Sequence, residues 1–404
     1  MKIPFSPPHI DQEMIDEVVD TLKSGWITTG PKTRLFEERL ATYCEVPKVL
    51  ALNSATIGLE LVLRWFGVGK GDEVIVPAYT YSATANVVLH TGAKPVMVDI
   101  NQEDYNINVK ALKKAITKRT KVIMPVDIAG FPCDYDAIYK IVSKEKIQKK
   151  FRPKSEIQSQ LNRILILSDA AHSFGALYQG KKAGNLADMS VFSFHAVKNL
   201  TTAEGGAITF TLPRPFDNEE VYKFFRYFSL HGQSKDALEK TKGSGWQYDI
   251  LLPGYKGNMT DIQASLGLVA LKKYDEENLK RRKEIFAYYQ SRFEEKPWAI
   301  VPLYTNEKAE TSYHLFLLRI SGIKEIQRNK IIDEIEAHGV SVNVHFQPLP
   351  LLTAYKQLGY KMCDYPDAYA NYATTISLPV YQDLTDEQLK SIVETVIKAV
   401  EKWR

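Results

Sequence analysis

Seven short runs rich in β-branched residues follow one another through the first half of the chain: Val49–Leu52, Glu73–Val76, Pro95–Val98, Lys121–Pro125, Ile164–Leu167, Ser190–Phe194 and Ala207–Phe210. Between them lie longer stretches, and Ile57–Phe66, Thr84–His90 and Val109–Ile116 place apolar residues at helical spacing. Parallel strands cannot be joined by tight turns, so helices used as crossovers are the usual connection. The alternation therefore predicts an α/β fold with a mainly parallel seven-stranded sheet between helices. Ahead of the sheet, Asp11 is placed to cap a helix that carries Met14, Ile15, Val18, Val19 and Leu22 on one face and ends at Gly25.

Two stretches break this rhythm. Residues 144–163, rich in lysine, arginine and glutamine with Pro153 inside, read as a solvent-exposed surface insertion. The charged run at 272–284 reads as a solvated helix face, with Leu279, Ile285 and Phe286 on its buried side. It leads from a large domain, residues 1–275, into a smaller α+β C-terminal domain, residues 276–404. In that domain Tyr313–Ile320 and Ser341–Phe346 read as strands, and Lys324–Ala337 and Asp386–Lys402 as helices.

Composition narrows the function classes. A formal net charge of +4 over 404 residues argues against a nucleic-acid-binding protein. Cys44, Cys133 and Cys363 lack metal-ligand spacing, so no metal site is expected and a reducing compartment fits. No run approaches the roughly 18 apolar residues of a membrane helix. Pro4, Pro7 and Pro8 stand where a signal peptide would have its apolar core, and a cytoplasmic location is the expectation.

The chemistry gathers around VFSFHAVKNLTTAEGGA, residues 191–207, where Lys198 stands between a strand end and a turn closed by Glu204, Gly205 and Gly206. An amine held out of water behind a strand is a natural anchor for an aldehyde. In LSDAAHSFG, Asp169 follows a predicted strand, where functional groups of open α/β sheets collect; taken alone, it could equally cap a helix. From Asn53 to Gly58 the chain leaves a strand and enters a helix, so the first amides and the Thr56 hydroxyl are available to an anion, and Ser54 can cap that helix. Ser193, between Phe192 and Phe194, must point to the opposite face of its strand.

In order and spacing these segments resemble the DegT/DnrJ/EryC1/StrS sugar aminotransferases over roughly residues 3–400. LKSGWITTGPKTRLFEERL and LLPGYKGNMTDIQASLGL are similar to the branch that aminates carbon 4 of nucleotide-linked keto sugars. The resemblance implies a fold type I enzyme dependent on pyridoxal phosphate (PLP). Under it, Lys198 holds the cofactor and moves the proton, Asp169 partners the pyridine nitrogen and His172 lies beside the phenolic oxygen. Ser54, Ala55, Thr56 and Ser193 bind the phosphate, with Ala55 where the family has glycine. Tyr81 stacks on the ring, and Tyr79 is packing. Asn258 crosses a dimer interface to close the partner's phosphate site. Many family members read G-Y-N-Y-R where this chain has Gly254–Tyr255–Lys256–Gly257–Asn258. Trp26, Thr28, Thr29 and Lys256 are implied substrate contacts, as are His345 and Phe346, with Asn343 beside them.

The implied reaction moves an amino group from L-glutamate to a UDP- or dTDP-linked 4-keto-6-deoxy sugar, for surface polysaccharide or glycan synthesis, in a homodimer with shared active sites. The rival readings are a 3-keto-sugar aminotransferase, a PLP-dependent sugar dehydratase and a non-catalytic binder of PLP or nucleotide sugar. Related dehydratases replace the lysine by histidine or add an iron–sulfur cluster, and Lys198 with only three cysteines counts against both. A pure binding module would not need Lys198, Asp169 and the phosphate residues together.

Overall fold

The computed structural model describes residues 2–235, 238 and 246–404. Nine strands occupy the first half: β1 Lys48–Leu52, β2 Glu73–Pro77, β3 Lys94–Val98, β4 Thr120–Ile123, β5 Leu165–Asp169, β6 Leu177–Tyr178, β7 Lys181–Lys182, β8 Met189–Ser193 and β9 Gly206–Phe210. Seven of them form the main sheet in the order β1-β9-β8-β5-β4-β2-β3. Only β9 runs antiparallel to its neighbours, and the other pairings are parallel. All seven predicted strands are present within one or two residues, because each is an apolar run buried on both faces and bounded by turn residues.

Parallel strands set all their carboxyl ends along one edge. At that edge β1 runs into helix α3, Ala55–Trp65, and β2 runs through Tyr79 to α4, Ser82–His90. There β5 ends on Asp169, and β8 ends on Ser193 opposite the first residue of β9. Two further helices precede the sheet: α1 Gln12–Lys23, whose N-cap Asp11 accepts from the Met14 amide, and α2 Pro31–Cys44. Ile15, Val19 and Leu22 of α1 remain exposed on the single chain.

Buried apolar residues fall into two clusters. One fills both faces of the main sheet; the other lies under the C-terminal part, where β10 Ala299–Ile300, β12 Phe316–Ile320 and β13 Thr375–Leu378 form an antiparallel sheet packed by the helices Glu325–Ala337 and Asp386–Trp403. A short β11, Ala309–Glu310, joins β6 and β7 instead. Among the described residues no helix is long and apolar enough to cross a membrane.

Three expectations need correction. Ser341–Phe346 is not a strand: its only pairing is a single bridge between Asn343 and Ser377, and the Ser341 amide bonds to the Ile3 carbonyl. The strand there is Thr375–Leu378. The predicted strand Tyr313–Ile320 begins only at Phe316, because the Ser312 and Leu315 amides bond to the Gly130 and Ala129 carbonyls of the large domain. The insertion at 144–163 is docked rather than merely solvated. Ile147, Phe151, Gln158 and Leu161 are buried, Gln158 Nε2 donates to the Phe66 carbonyl at 2.8 Å, and the Lys121 ammonium donates to the Arg152 carbonyl. It covers the sheet edge opposite the strands' carboxyl ends.

Candidate active site

Lys198 rides on the connection between β8 and β9, which its own backbone holds in shape. The Phe194 amide bonds to the Gly205 carbonyl at 2.9 Å, the Thr202 amide to the Phe194 carbonyl at 2.9 Å, and the Lys198 amide to the His195 carbonyl at 2.9 Å. Two strand ends therefore fix the lysine from both sides. Burial pushes its amine down from the usual lysine range to about 8, against the opposing pull of the Asp169 carboxylate.

Asp169 closes β5 and is almost fully enclosed. Thr84 Oγ1 donates to its Oδ2 at 2.8 Å and the Ala171 amide to its Oδ1 at 3.3 Å, while Thr80 lies 2.9 Å from the Thr84 hydroxyl. Since the Thr84 proton goes to Asp169, Thr80 is the donor of that pair. Burial raises the carboxyl above its ordinary range, and the Thr84 and Ala171 donors and the charge of Lys198 oppose this. A cation or protonated ring nitrogen beside it would favour the carboxylate further.

His172, one turn beyond, is buried, and burial together with the Lys198 charge keeps it well below the ordinary histidine range. Its ring lies 4.5 Å from that of His314 and stacks at 5.6 Å on Phe346. Among the described residues no hydrogen-bond partner meets its Nδ1. The segment that brings Phe346 is pinned from below, where the Tyr79 hydroxyl donates to the His345 carbonyl at 2.6 Å; Tyr79 is packing, as its sequence context suggests.

The anion end of the site is the start of α3. Ser54 caps it by accepting from the Ile57 amide at 3.3 Å, and the amides of Ala55 and Thr56 have no carbonyl one turn back to bond. Gly206 lets this turn approach β9: a Cβ there would stand 2.4 Å from the Ala55 nitrogen. Ser193 points to this side while Phe192 and Phe194 are buried on the other.

These groups share one cavity of about 470 Å³, within the roughly 300–1,000 Å³ of small-molecule sites. Lys198, Asp169 and His172 line it together with Ser54, Ala55, Thr56 and Ser193 and with Tyr81, His345 and Phe346. Phe5 also lines it, stacked on His345 at 5.4 Å. The residues fit PLP on four counts: an amine, an enclosed carboxylate without a direct cation, an unpartnered imidazole nitrogen, and free helix-start amides in a cradle that a Cβ would fill.

Trp26, Thr28, Thr29, Lys256 and Asn258 are grouped with one another and not with Lys198. Asn258 Nδ2 donates to Thr29 Oγ1 at 2.6 Å, Lys256 Nζ to Asn258 Oδ1 at 2.6 Å, and the Trp26 indole to the Thr29 carbonyl at 3.2 Å. Asp261 accepts from the Thr33 and Gly30 amides at the start of α2, and its own amide donates to the Thr28 carbonyl at 3.1 Å. Thr84, Thr80, His314, Asn199 and Phe5 were not singled out from the sequence. The two threonines stand at helical spacing in YTYSATAN and Asn199 stands beside Lys198 inside the lysine motif, whereas Phe5 and His314 lie outside every motif.

The family model of the DegT/DnrJ/EryC1/StrS aminotransferase family matches residues 8–149 and 155–397, and the gap falls inside the insertion. The PLP form of a putative sugar aminotransferase, Spr1654 of Streptococcus pneumoniae, superposes with a TM-score of 0.95 at 49% identity, covering 100% of both chains. PseC of Helicobacter pylori, an aminotransferase involved in the biosynthesis of pseudoaminic acid, gives a TM-score of 0.86 at 30% identity, again over 100% of both chains. SpsC of Bacillus subtilis, a spore coat polysaccharide biosynthesis protein, is 38% identical over 398 residues, 98% of this chain and 96% of its own.

Proposed function

The chain belongs to the DegT/DnrJ/EryC1/StrS aminotransferase family and uses PLP, and from that premise we propose that it transfers the amino group of L-glutamate to a nucleotide-linked 4-keto-6-deoxy sugar. The observation that carries this reading is the meeting of Lys198, Asp169 and the unpartnered His172 in one cavity at the carboxyl edge of the sheet. The names of the Streptococcus, Helicobacter and Bacillus proteins favour a sugar acceptor and a surface-glycan pathway. The likeness of residues 22–40 and 251–268 to the 4-aminating branch favours a nucleotide-linked acceptor.

Bound in this cavity, PLP supplies an aldehyde that takes up an amino group and a ring that draws off the electron pair released at the neighbouring carbon. Asp169 accepts the ring N–H and its charge holds that proton in place. The amides of Ala55 and Thr56, with the hydroxyls of Ser54, Thr56 and Ser193, fix the phosphate, while Tyr81 covers the ring face. Lys198 Nζ, brought down to about 8, has a larger unprotonated share near neutral pH than a free lysine, and in that form it can take up the donor's Cα proton and pass it on.

The functional unit in this reading is a cytoplasmic homodimer. Support comes from the apolar residues left exposed on and beside α1, Ile10, Ile15, Leu22 and Ile27 among them, which a second copy would cover. Trp26, Thr28, Thr29, Lys256 and Asn258 then complete the partner's site, which accounts for their distance from Lys198 in the same chain. The test is mass spectrometry of products from a panel of UDP- and dTDP-linked 3-keto and 4-keto sugars with glutamate. Amination of a 4-keto compound is expected. Amination confined to 3-keto compounds, or none at all with PLP bound, would overturn the assignment.

A further inference from the structure

Asn199 follows Lys198 in sequence but turns into the seam between the sheet edge and residues 311–315. Its Nδ2 donates to the Ser312 carbonyl at 2.7 Å and to the Tyr274 hydroxyl at 3.3 Å, and its Oδ1 lies 2.9 Å from Nδ1 of His314. An amide nitrogen only donates, so rotating this amide would set an NH₂ against His314 and a carbonyl oxygen against the Ser312 carbonyl. In the arrangement that satisfies all partners Oδ1 accepts, and Nδ1 of His314 carries the proton. In the neutral ring Nε2 is then a bare acceptor.

The same segment carries His172 on two sides. Ser312 Oγ donates to the His172 carbonyl at 2.5 Å, and the His314 ring rests 4.5 Å from the His172 ring. Behind it the buried Arg282 guanidinium donates to the carbonyls of Tyr313 and His314, both at 3.4 Å, and of Val380 at 3.1 Å. The charges of Lys198, Arg282 and His345 all bear on His314, and among the described residues no acidic group accepts from it. Burial and these charges hold His314 well below the ordinary histidine range.

We propose that Asn199 and His314 are a positioning pair for the transamination: Asn199 fixes the Nδ1–H form of His314, so that the wall supporting His172 presents a lone pair and never a cation beside Lys198. The pair joins Lys198 through its sequence neighbour to the ring nearest the cofactor, so the lysine turn and His172 keep a constant relation. The role in catalysis rests on the PLP reading of the site; the tautomer does not.

Nitrogen-15 NMR of histidine-labelled protein tests this, first without cofactor and then loaded with PLP, with the His314 signal assigned from its loss in His314→Gln. The expected signal is a neutral Nδ1–H tautomer that stays unprotonated from about pH 8 down to about pH 6. Asn199→Asp keeps an acceptor for Nδ1 but adds a negative charge and loses the donors, so it should keep the proton on Nδ1 while making His314 easier to protonate, whereas Asn199→Leu should lose the Nδ1–H preference. In the PLP-loaded protein Asn199→Leu should lower kcat of the glutamate half-reaction about 10-fold with KM within about twofold, as expected for misplaced groups rather than lost binding. A wild-type His314 carrying its proton on Nε2, or protonated at neutral pH, would overturn the proposal even if no Asn199 variant folds. So would an Asn199→Leu protein with tautomer and kcat unchanged. Failure to take up PLP would sink the cofactor reading but leave the cofactor-free tautomer result standing.

Discussion

Thr84 Oγ1 donates to Oδ2 of Asp169 at 2.8 Å, joining the first turn of α4 to the last residue of β5 with both side chains almost fully enclosed. A buried carboxylate costs free energy unless donors face it, and here one hydroxyl and one backbone amide do so. Thr80, hydrogen-bonded to Thr84, keeps that hydroxyl aimed at Asp169.

Replacing Thr84 by valine keeps the shape and removes the donor. Asp169 should rise further above its ordinary range, and the protein should lose about 1–3 kcal/mol, the usual cost of stranding a buried polar group. Denaturant unfolding reads the stability, and the pH midpoint of the cofactor absorption band reads the carboxyl. No change in either would show that Thr84 is a bystander.

Gly206→Ala places a methyl 2.4 Å from the Ala55 nitrogen and 2.5 Å from the Ser54 carbonyl carbon, both backbone atoms that cannot step aside. Expected outcomes are a stability loss of about 1–3 kcal/mol from overpacking and weaker PLP uptake in a fluorescence titration. Normal uptake would detach the helix start from phosphate binding.

Lys198 is brought down to about 8 in the folded chain from the 10.5 of a free lysine, so between those values the unfolded chain binds the extra proton. Its burden on folding is full below pH 8 and is lifted as pH rises towards 10.5. Without cofactor, Lys198→Ala should therefore melt at or above wild type at neutral pH, with the margin shrinking on raising the pH. A margin that widens would contradict the depressed amine.

Mixing inactive Lys198→Ala protein with Asn258→Ala protein should restore activity once subunits exchange, because each hybrid holds one site with both wild-type groups. Verified hybrids without recovered turnover would argue against a shared site.

The main sheet was legible because each strand is a continuous apolar run, and the lysine turn because its glycines and flanking phenylalanines fall at fixed spacing. The smaller part was less so. Asn343, Ser341 and Leu315 look like strand residues, yet their amides bond to the carbonyls of Ser377, Ile3 and Ala129 across the chain, which no local pattern announces. Lys144–Arg163 read as solvated because its charges dominate the composition, while four residues anchor it: Ile147, Phe151, Gln158 and Leu161. Among site residues, Lys198 and Asp169 stood in motifs, whereas His314 and Asn199 meet across a separation of 115 positions.

Reduction of the PLP-loaded protein with borohydride, followed by peptide mass spectrometry, tests the central claim most directly. The pyridoxyl group should be found on the peptide containing Lys198, at about one per chain, and should be absent from the Lys198→Ala protein. Its presence on another lysine such as Lys256, or no covalent attachment in protein that binds PLP, would contradict the account.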